Sequence, residues 1–324
     1  MHYEIITVVA ADVGRRFHTG VQSEAKSSRS APSYTDILPK YRELAHDLIT
    51  VNGKKVHTVT KFYEPDTVVV EGHSIVEDLF SKEIVDFKKS MLAVCSDLAR
   101  KRDHFADIYE EYTMFCVSGY KDISQFDRHK AHIVGLMRSE VEEMDRDVVD
   151  SALKESSLKY SSNDLVVVGW DSAVLFSDNP SEFPEIIEVL IAGNIQLLKI
   201  RLLNKELEGG IESINKNILA KRVGWFNLRK TLMHIVQLRT SSLQDLEHTR
   251  ANINLLGDWY TATLFSLASR KFHLDEKNAE VEKRLDALED VFDMVSSRVD
   301  SFYMLVLEFT IVVLIIFEIV LAFL

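Results

Sequence analysis

The sequence predicts an α+β protein with a mixed strand and helix N-terminal half and an all-α C-terminal half. Its last long helix is predicted to continue into a single C-terminal transmembrane helix. Two observations support this. The apolar spacing is helical throughout after Pro184, and the 23 residues from Phe302 to Leu324 form an apolar run. As a helix, that run is about 34 Å long, against about 30 Å for the hydrocarbon core of a bilayer.

Strands dominate the predictions for the first half. Residues 1–20 form an N-terminal strand region, 21–36 a polar loop or linker, and 37–180 an α+β domain. β-Branched runs and turn signals predict strands at 3–10, 56–63, 67–71, 112–117, 165–168 and 173–176, with hairpin turns at 64–66 and 169–172. Helical spacing of apolar residues predicts a helix over 74–102.

The helical region spans residues 181–273. One helix after Pro184 is expected to stop at Gly209 and Gly210, a second to cover 225–248, and a third to run from Ile253 into the tail region.

A stalk at residues 274–301 repeats apolar residues in alternating steps of three and four. The same seam either joins parallel helices of a homo-oligomer or packs one helix on its own domain. Asn278 falls at an a position, where a buried asparagine often fixes register and strand number. The predicted oligomerisation seam is Leu274, Asn278, Val281, Leu285, Leu288, Phe292, Val295 and Val299.

The transmembrane segment, residues 302–324, carries two acids, Glu308 and Glu318. Its 17 Leu, Ile, Val and Phe residues favour insertion by roughly 5–10 kcal/mol, and the two acids remove roughly 5–7 kcal/mol. Both acids point away from the seam, so a polar lipid headgroup, a second partner or a neighbouring helix could meet them. The alternative is a buried core helix of a soluble protein.

Composition excludes several classes of function. A net charge of −12 argues against non-specific nucleic-acid binding, which needs a basic surface. Cys95 and Cys116 are expected to be buried small side chains, not a disulfide or a metal site. The N-terminal residues lack the order of a secretory signal, and Glu4 and Asp12 do not suit a mitochondrial transit peptide. The bulk of the chain is therefore expected in the cytoplasm.

Motifs of catalysis are missing from the sequence. It holds no GxxxxGK[ST], no GxGxxG after a strand and no GxSxG. His129 and His132 could share a helix face with Asp127, but further metal ligands at a recognisable spacing do not follow. Asp171 is explained by its tight turn. We therefore predict no enzyme, no catalytic residues, no metal and no cofactor.

Several C-terminal segments resemble a known family. They are 164–171, 173–176, 184–188, 258–260, Arg270 and the tail residues 307–308 and 314–319. Together they resemble the "required for meiotic nuclear division" (Sad-interacting factor) family and its uncharacterised prokaryotic relatives. The resemblance implies a single membrane helix on a soluble α+β domain, and for mitochondrial members an inner-membrane role in organellar translation. The acidic pI and the long helix after Pro184 depart from those members and favour a prokaryotic relative.

Two hypotheses of function follow. The first is a tail-anchored scaffold or adaptor that oligomerises through the stalk and presents its α+β domain to an unidentified cytoplasmic protein. The second is an oligomeric membrane conduit or regulator that uses Glu308 and Glu318 to sense or carry protons or ions. Either would sit in the cytoplasmic membrane, or in the mitochondrial inner membrane of a eukaryote.

Overall fold

The structure is a computed structural model. It describes residues 1–13, 41–64, 66–81, 83–101, 108–139, 144–219, 230, 233–237, 240 and 259–323, without the side chains of 215, 217–219, 298, 299, 322 and 323. The predicted α+β class, with a helical second half that ends in one long helix, is confirmed. The predicted linker at 21–36 lies outside the described residues.

Eight strands form one mixed sheet. They are β1 (His2–Asp12), β2 (Tyr41–Val51), β3 (Lys54–Tyr63), β4 (Thr67–Val76), β5 (Tyr109–Ser118), β6 (Ser157–Leu158), β7 (Leu165–Val168) and β8 (Ser172–Phe176). Their order in the sheet is β2-β3-β4-β1-β5-β8-β7-β6. Only the β5–β8 pair is parallel among these neighbours. The predicted hairpins pair as expected, with Tyr63 opposite Thr67 and Val168 opposite Ala173.

Six helices are described. They are α1 (Glu83–Arg100), α2 (Lys130–Arg138), α3 (Arg146–Ser156), α4 (Phe183–Leu219), α5 (Trp259–Lys271) and α6 (Leu274–Phe323), with short 3₁₀ turns at Ile123–His129 and Pro180–Glu182.

Side-chain alternation along β1 gives the sheet two buried faces. On one face, Ile5 packs in a cluster with Phe87 and Met91 of α1. On the other face, Lys199 Nζ of α4 lies 2.7 Å from Asp12 Oδ2, and Arg201 pairs with Glu110 of β5. The sheet therefore lies between α1 and the first part of α4.

Four local expectations need correction. The helix predicted from residue 74 begins at Glu83, because β4 continues to Val76. Helix α4 passes through Gly209 and Gly210 and reaches Leu219. Strand β2 was not predicted; it meets β3 through Asn52 and Gly53, whose φ of 47° and 78° suit this Asn-Gly hairpin turn.

The fourth correction concerns the third predicted helix, which does not run unbroken into the tail. His273, with a φ of 54°, separates α5 from α6. The helix predicted at 225–248 lies outside the described residues, except at 230, 233–237 and 240.

Two compact units make up the chain. The first holds the sheet, α1 to α3, the start of α4 up to Arg201, and α5. The second holds the rest of α4 and α6 from Glu276. The predicted stalk and membrane helix both belong to α6.

Candidate functional site

The end of α6 is an exposed apolar surface. Every residue from 302 to 321 is exposed, in contrast to the buried apolar residues earlier in the same helix. Twenty helical residues cover about 30 Å, which matches the hydrocarbon core of a bilayer. By length and composition, α6 is the one helix of the described chain that is apolar enough to cross a membrane. Because its end is exposed, α6 also differs from the buried core helix of a soluble protein, which was the alternative interpretation of the sequence.

Glu308 and Glu318 both lie within this exposed span. Within the described residues, neither carboxyl group has a hydrogen bond or ion pair, and the span itself contains no Lys, Arg or His. The Thr310 hydroxyl, by contrast, donates to Val306 O of its own helix at 2.8 Å. The described chain therefore offers the two acids no polar partner in a bilayer, where uncompensated charges are costly.

The predicted stalk seam is largely buried within a single chain. The buried members are Leu274, Asn278, Val281, Leu285, Leu288 and Val295; Phe292 is half-buried, and the side chain of Val299 is not described. In the second unit, Leu207 and Ile214 of α4 are also fully buried, and Arg284 of α6 lies 3.7 Å from Glu208 of α4. This burial favours the interpretation in which the helix packs on its own chain. The homo-oligomer stays a prediction.

A partly buried charged cluster lies on the α4 face of the sheet. His73 of β4 stands between two carboxylates, with Nδ1 3.0 Å from Glu4 Oε1 and Nε2 3.4 Å from Glu71 Oε2. Glu71 is almost fully buried, and Lys61 Nζ lies 2.7 Å from its Oε1. Cations and anions therefore alternate across β1, β4 and β3. We call Glu4, Lys61, Glu71 and His73 the sheet-face cluster.

The contacts of the sheet-face cluster shift its pKa values. Burial by itself lowers the pKa of His73, but the hydrogen bonds to Glu4 and Glu71 outweigh burial and raise it to about 9. Burial raises the pKa of Glu71, and the bonds from His73 and Lys61 bring it below its usual value. At neutral pH, His73 is therefore protonated and Glu71 is ionised. Glu188 of α4 has a raised pKa, chiefly through burial and despite nearby Lys61.

Asp171, which the sequence explains by its turn, also joins a second polar cluster. Its Oδ2 accepts hydrogen bonds from Lys88 Nζ at 2.9 Å and from Ser139 Oγ at 2.8 Å. Lys88 is buried, and Ser139 ends α2 with a φ of 56°. These contacts join α1, α2 and the β7–β8 turn.

The predicted pair His129 and His132 does come together, with ring centroids 5.8 Å apart. Phe80 stacks on the His129 ring at 4.3 Å. Asp127, however, lies 3.1 Å from Lys130 Nζ. Within the described residues, no three His, Cys, Asp or Glu side chains converge as a preformed metal site.

Comparison with known proteins gives the family. The model of the family described as "Uncharacterized protein MJ0711, N-terminal domain" matches residues 16–182, about half of the chain. The chain belongs to this family. The archaeal "Uncharacterized protein MJ0711" of Methanocaldococcus jannaschii is 29% identical over 293 residues, which are 90% of this chain and 88% of that protein. No solved structure matches the chain.

The resemblance to the "required for meiotic nuclear division" family is therefore wrong, since the matched family and relative are different ones. The residues that suggested it were short β-branched strands around a turn and an apolar helix with two acids. Sheet packing and bilayer thickness impose such patterns on unrelated chains. The inferred role in organellar translation loses its basis with the resemblance.

Sequence reasoning also missed the sheet-face cluster. Its members are far apart in the chain, and only strand pairing brings them together. The β3–β4 hairpin held part of the signal: with Tyr63 opposite Thr67, Lys61 and Glu71 fall on the same face of adjacent strands.

Proposed function

We propose that this protein is held in a membrane by the end of α6 and presents its α+β domain at the membrane surface. One observation carries the proposal: residues 302–321 are exposed and, apart from Glu308, Thr310 and Glu318, apolar, on the same helix whose earlier apolar residues are buried. Leaving such a surface in water is costly, at about 25 cal/mol per Å² of apolar area. A bilayer removes that cost.

A scaffold or adaptor is the activity that fits this arrangement best. The domain binds a cytoplasmic protein and thereby recruits it to the cytoplasmic membrane. The wide exposed helix surface also allows copies of the chain to associate side by side.

Liposome flotation followed by a carbonate wash tests the anchor. The test compares the full chain with a chain ending after Asp300 and with the double variant Val313→Arg, Leu314→Arg. Each central arginine costs about 2.5–3.5 kcal/mol of insertion free energy, so two remove most of the apolar gain. A matched control places two arginines at the exposed stalk positions Met294 and Ser297.

We expect the full chain and the stalk control to float and to resist carbonate, and the other two proteins to stay unbound. If the Val313→Arg, Leu314→Arg variant also resists carbonate, residues 302–321 are not the anchor and the proposal fails.

The double variant Glu308→Leu, Glu318→Leu distinguishes the conduit hypothesis from the scaffold proposal. A scaffold keeps its membrane attachment and its bound protein when the acids are lost. A conduit loses proton or cation flux, measured with a pH-sensitive dye in proteoliposomes. If the unchanged protein shows flux and this variant does not, the conduit hypothesis replaces the scaffold proposal.

A further inference from the structure

Strand β2 is an edge of the sheet. Among the described strands it has a neighbour, β3, on one side only, and it is 11 residues long. Its outer backbone N–H and C=O groups can therefore pair with a further strand. Lysine and proline commonly prevent such pairing, but β2 contains neither, and its Leu48 is 67% exposed. The opposite edge, β6, is protected because it has only two residues.

A β-bulge decides which side chains of β2 share a face. In a regular strand, residues an odd number apart point to opposite faces. The β2–β3 register shifts between Glu43 and Ala45, which reverses the faces beyond it. Glu43 and His46, three residues apart, therefore share a face, and Glu43 Oε2 lies 3.0 Å from His46 Nε2. Arg42 and Asp47, five residues apart, share the other face for the same reason.

This shift makes β2 complementary to a second copy of itself. A two-fold axis normal to the sheet sets two copies of β2 antiparallel, and residues that are directly opposite must share a face. With the axis between Leu44 and Ala45, three pairs across the bulge meet this condition. They are Tyr41 with Leu48, Arg42 with Asp47, and Glu43 with His46, and the symmetry forms each pair twice. One pair is apolar, one joins opposite charges, and one joins a carboxylate to an imidazole, all of which stabilise antiparallel neighbours.

Other registers of the same two strands lack this match. A shift of one residue sets side chains of opposite faces against each other across the bulge. A shift of two residues sets Arg42 opposite Ile49 in one direction and opposite Ala45 in the other, so that it has no acid opposite it. The bulge therefore selects one register.

We propose that β2 is a homodimer interface, at which it pairs antiparallel with β2 of a second copy and joins the two sheets into one. The Glu43 and His46 side chains of both copies then alternate around the two-fold axis on one face of the joined sheet. One strand pair buries less area than a standard interface, so the dimer is expected at roughly micromolar concentrations. This interface lies in the α+β domain and does not depend on the membrane anchor.

Charge reversal of the Arg42–Asp47 pairs tests the interface. The variants Arg42→Asp and Asp47→Arg are made in the full chain, and the dimer is measured in mild detergent by size-exclusion chromatography with light scattering. Each variant alone sets like charges opposite each other in both pairs. In an equimolar mixture of the two variants, both pairs of a mixed dimer join opposite charges again. The matched control Asp150→Arg makes the same change of charge at an exposed position of α3.

We expect the unchanged protein and Asp150→Arg to dimerise equally. Arg42→Asp and Asp47→Arg should each weaken the dimer about tenfold or more, and their mixture should restore it. The proposal is overturned if the unchanged protein is monomeric, if the dimer survives Asp47→Arg, or if Asp150→Arg weakens it equally. A dimer that is joined only through residues 302–321 is insensitive to these charges and would also overturn it.

Disulfide cross-linking gives a second measurement that does not require the charge variants to fold. A mixture of Tyr41→Cys and Leu48→Cys chains should cross-link on mild oxidation, because the two positions are directly opposite. Either variant alone should not, because the same residue in two copies is displaced by roughly 20 Å along the strand. Cys95 and Cys116 are buried and do not compete. Failure of the mixture to cross-link, or equal cross-linking of each variant alone, would contradict the register.

Discussion

The sheet-face cluster predicts a pH-dependent contribution of His73 to stability. Folding raises the pKa of His73 from its ordinary value of 6.5 to about 9, through the hydrogen bonds to Glu4 and Glu71. At 1.36 kcal/mol per unit, this corresponds to about 3 kcal/mol of stabilisation. Because the folded pKa is the higher one, the contribution is fully present below pH 6.5. It is lost as the pH rises from 6.5 to 9.

The substitution His73→Gln isolates this contribution. Glutamine keeps a hydrogen-bonding side chain but cannot carry the charge that bonds Glu4 and Glu71. The unfolding free energy of the variant should therefore lie about 3 kcal/mol below that of the unchanged protein at pH 6, with the gap almost closed at pH 9.5. Titrating groups that do not contact His73 affect both proteins equally and cancel in the difference, whereas Glu71, whose pKa the His73 bond lowers, titrates as part of the measured gap.

Denaturant unfolding of the full chain in mild detergent, at pH 6 and pH 9.5, measures the gap. NMR titration of the imidazole resonances gives the His73 pKa directly. The control Glu4→Gln removes one of the two carboxylates and should reduce both the measured pKa and the gap. A gap that is the same at both pH values, or a His73 pKa near 6.5, would refute the reasoning.

Three further predictions concern packing. Leu288→Ala, at a fully buried position of α6, should lower the unfolding free energy by about 2–5 kcal/mol, whereas the exposed Met294→Ala should change it little; equal effects would contradict the burial of the stripe. Gly72→Ala should cost about 1–3 kcal/mol in the same assay, because its Cβ would lie 2.8 Å from Cys95 Sγ, and an unchanged stability would contradict that contact. Burial raises the pKa of Cys95 to about 11 and that of Cys116 well above its usual value, so thiol reagents should label both slowly until the chain unfolds; rapid labelling of the native protein would contradict their burial.

Regular periodicity made much of the fold predictable. The hairpin around residues 64–66 follows from strand-like alternation of side chains with a period of two. The long C-terminal helix follows from apolar residues spaced three and four apart. Strand β2 was missed because its bulge breaks the alternation and its edge position leaves most of its side chains half or fully exposed. Gly209 and Gly210 did not end α4, because two interior glycines cost only about 2 kcal/mol and buried residues such as Leu207 and Ile214 on either side offset this.

The candidate sites were less predictable for a physical reason. The apolar run at residues 302–321 is a local property of consecutive residues, and it is readable from them directly. The sheet-face cluster depends on which strands are neighbours and in which register. The members of the cluster come from β1, β3 and β4, so alternation within one strand does not show that they meet.

The burial of the stalk seam limits where copies of this chain can meet. A stripe that packs inside its own chain is not available to a second copy without unpacking. The exposed surface of the stalk carries acidic side chains, including Asp286, Asp290, Asp293 and Asp300, which repel the same residues of another copy. Residues 302–321 carry no such concentration of charge and are exposed on all sides. Within α6, residues 302–321 are therefore the surface at which two chains can approach without breaking any contact that the structure describes.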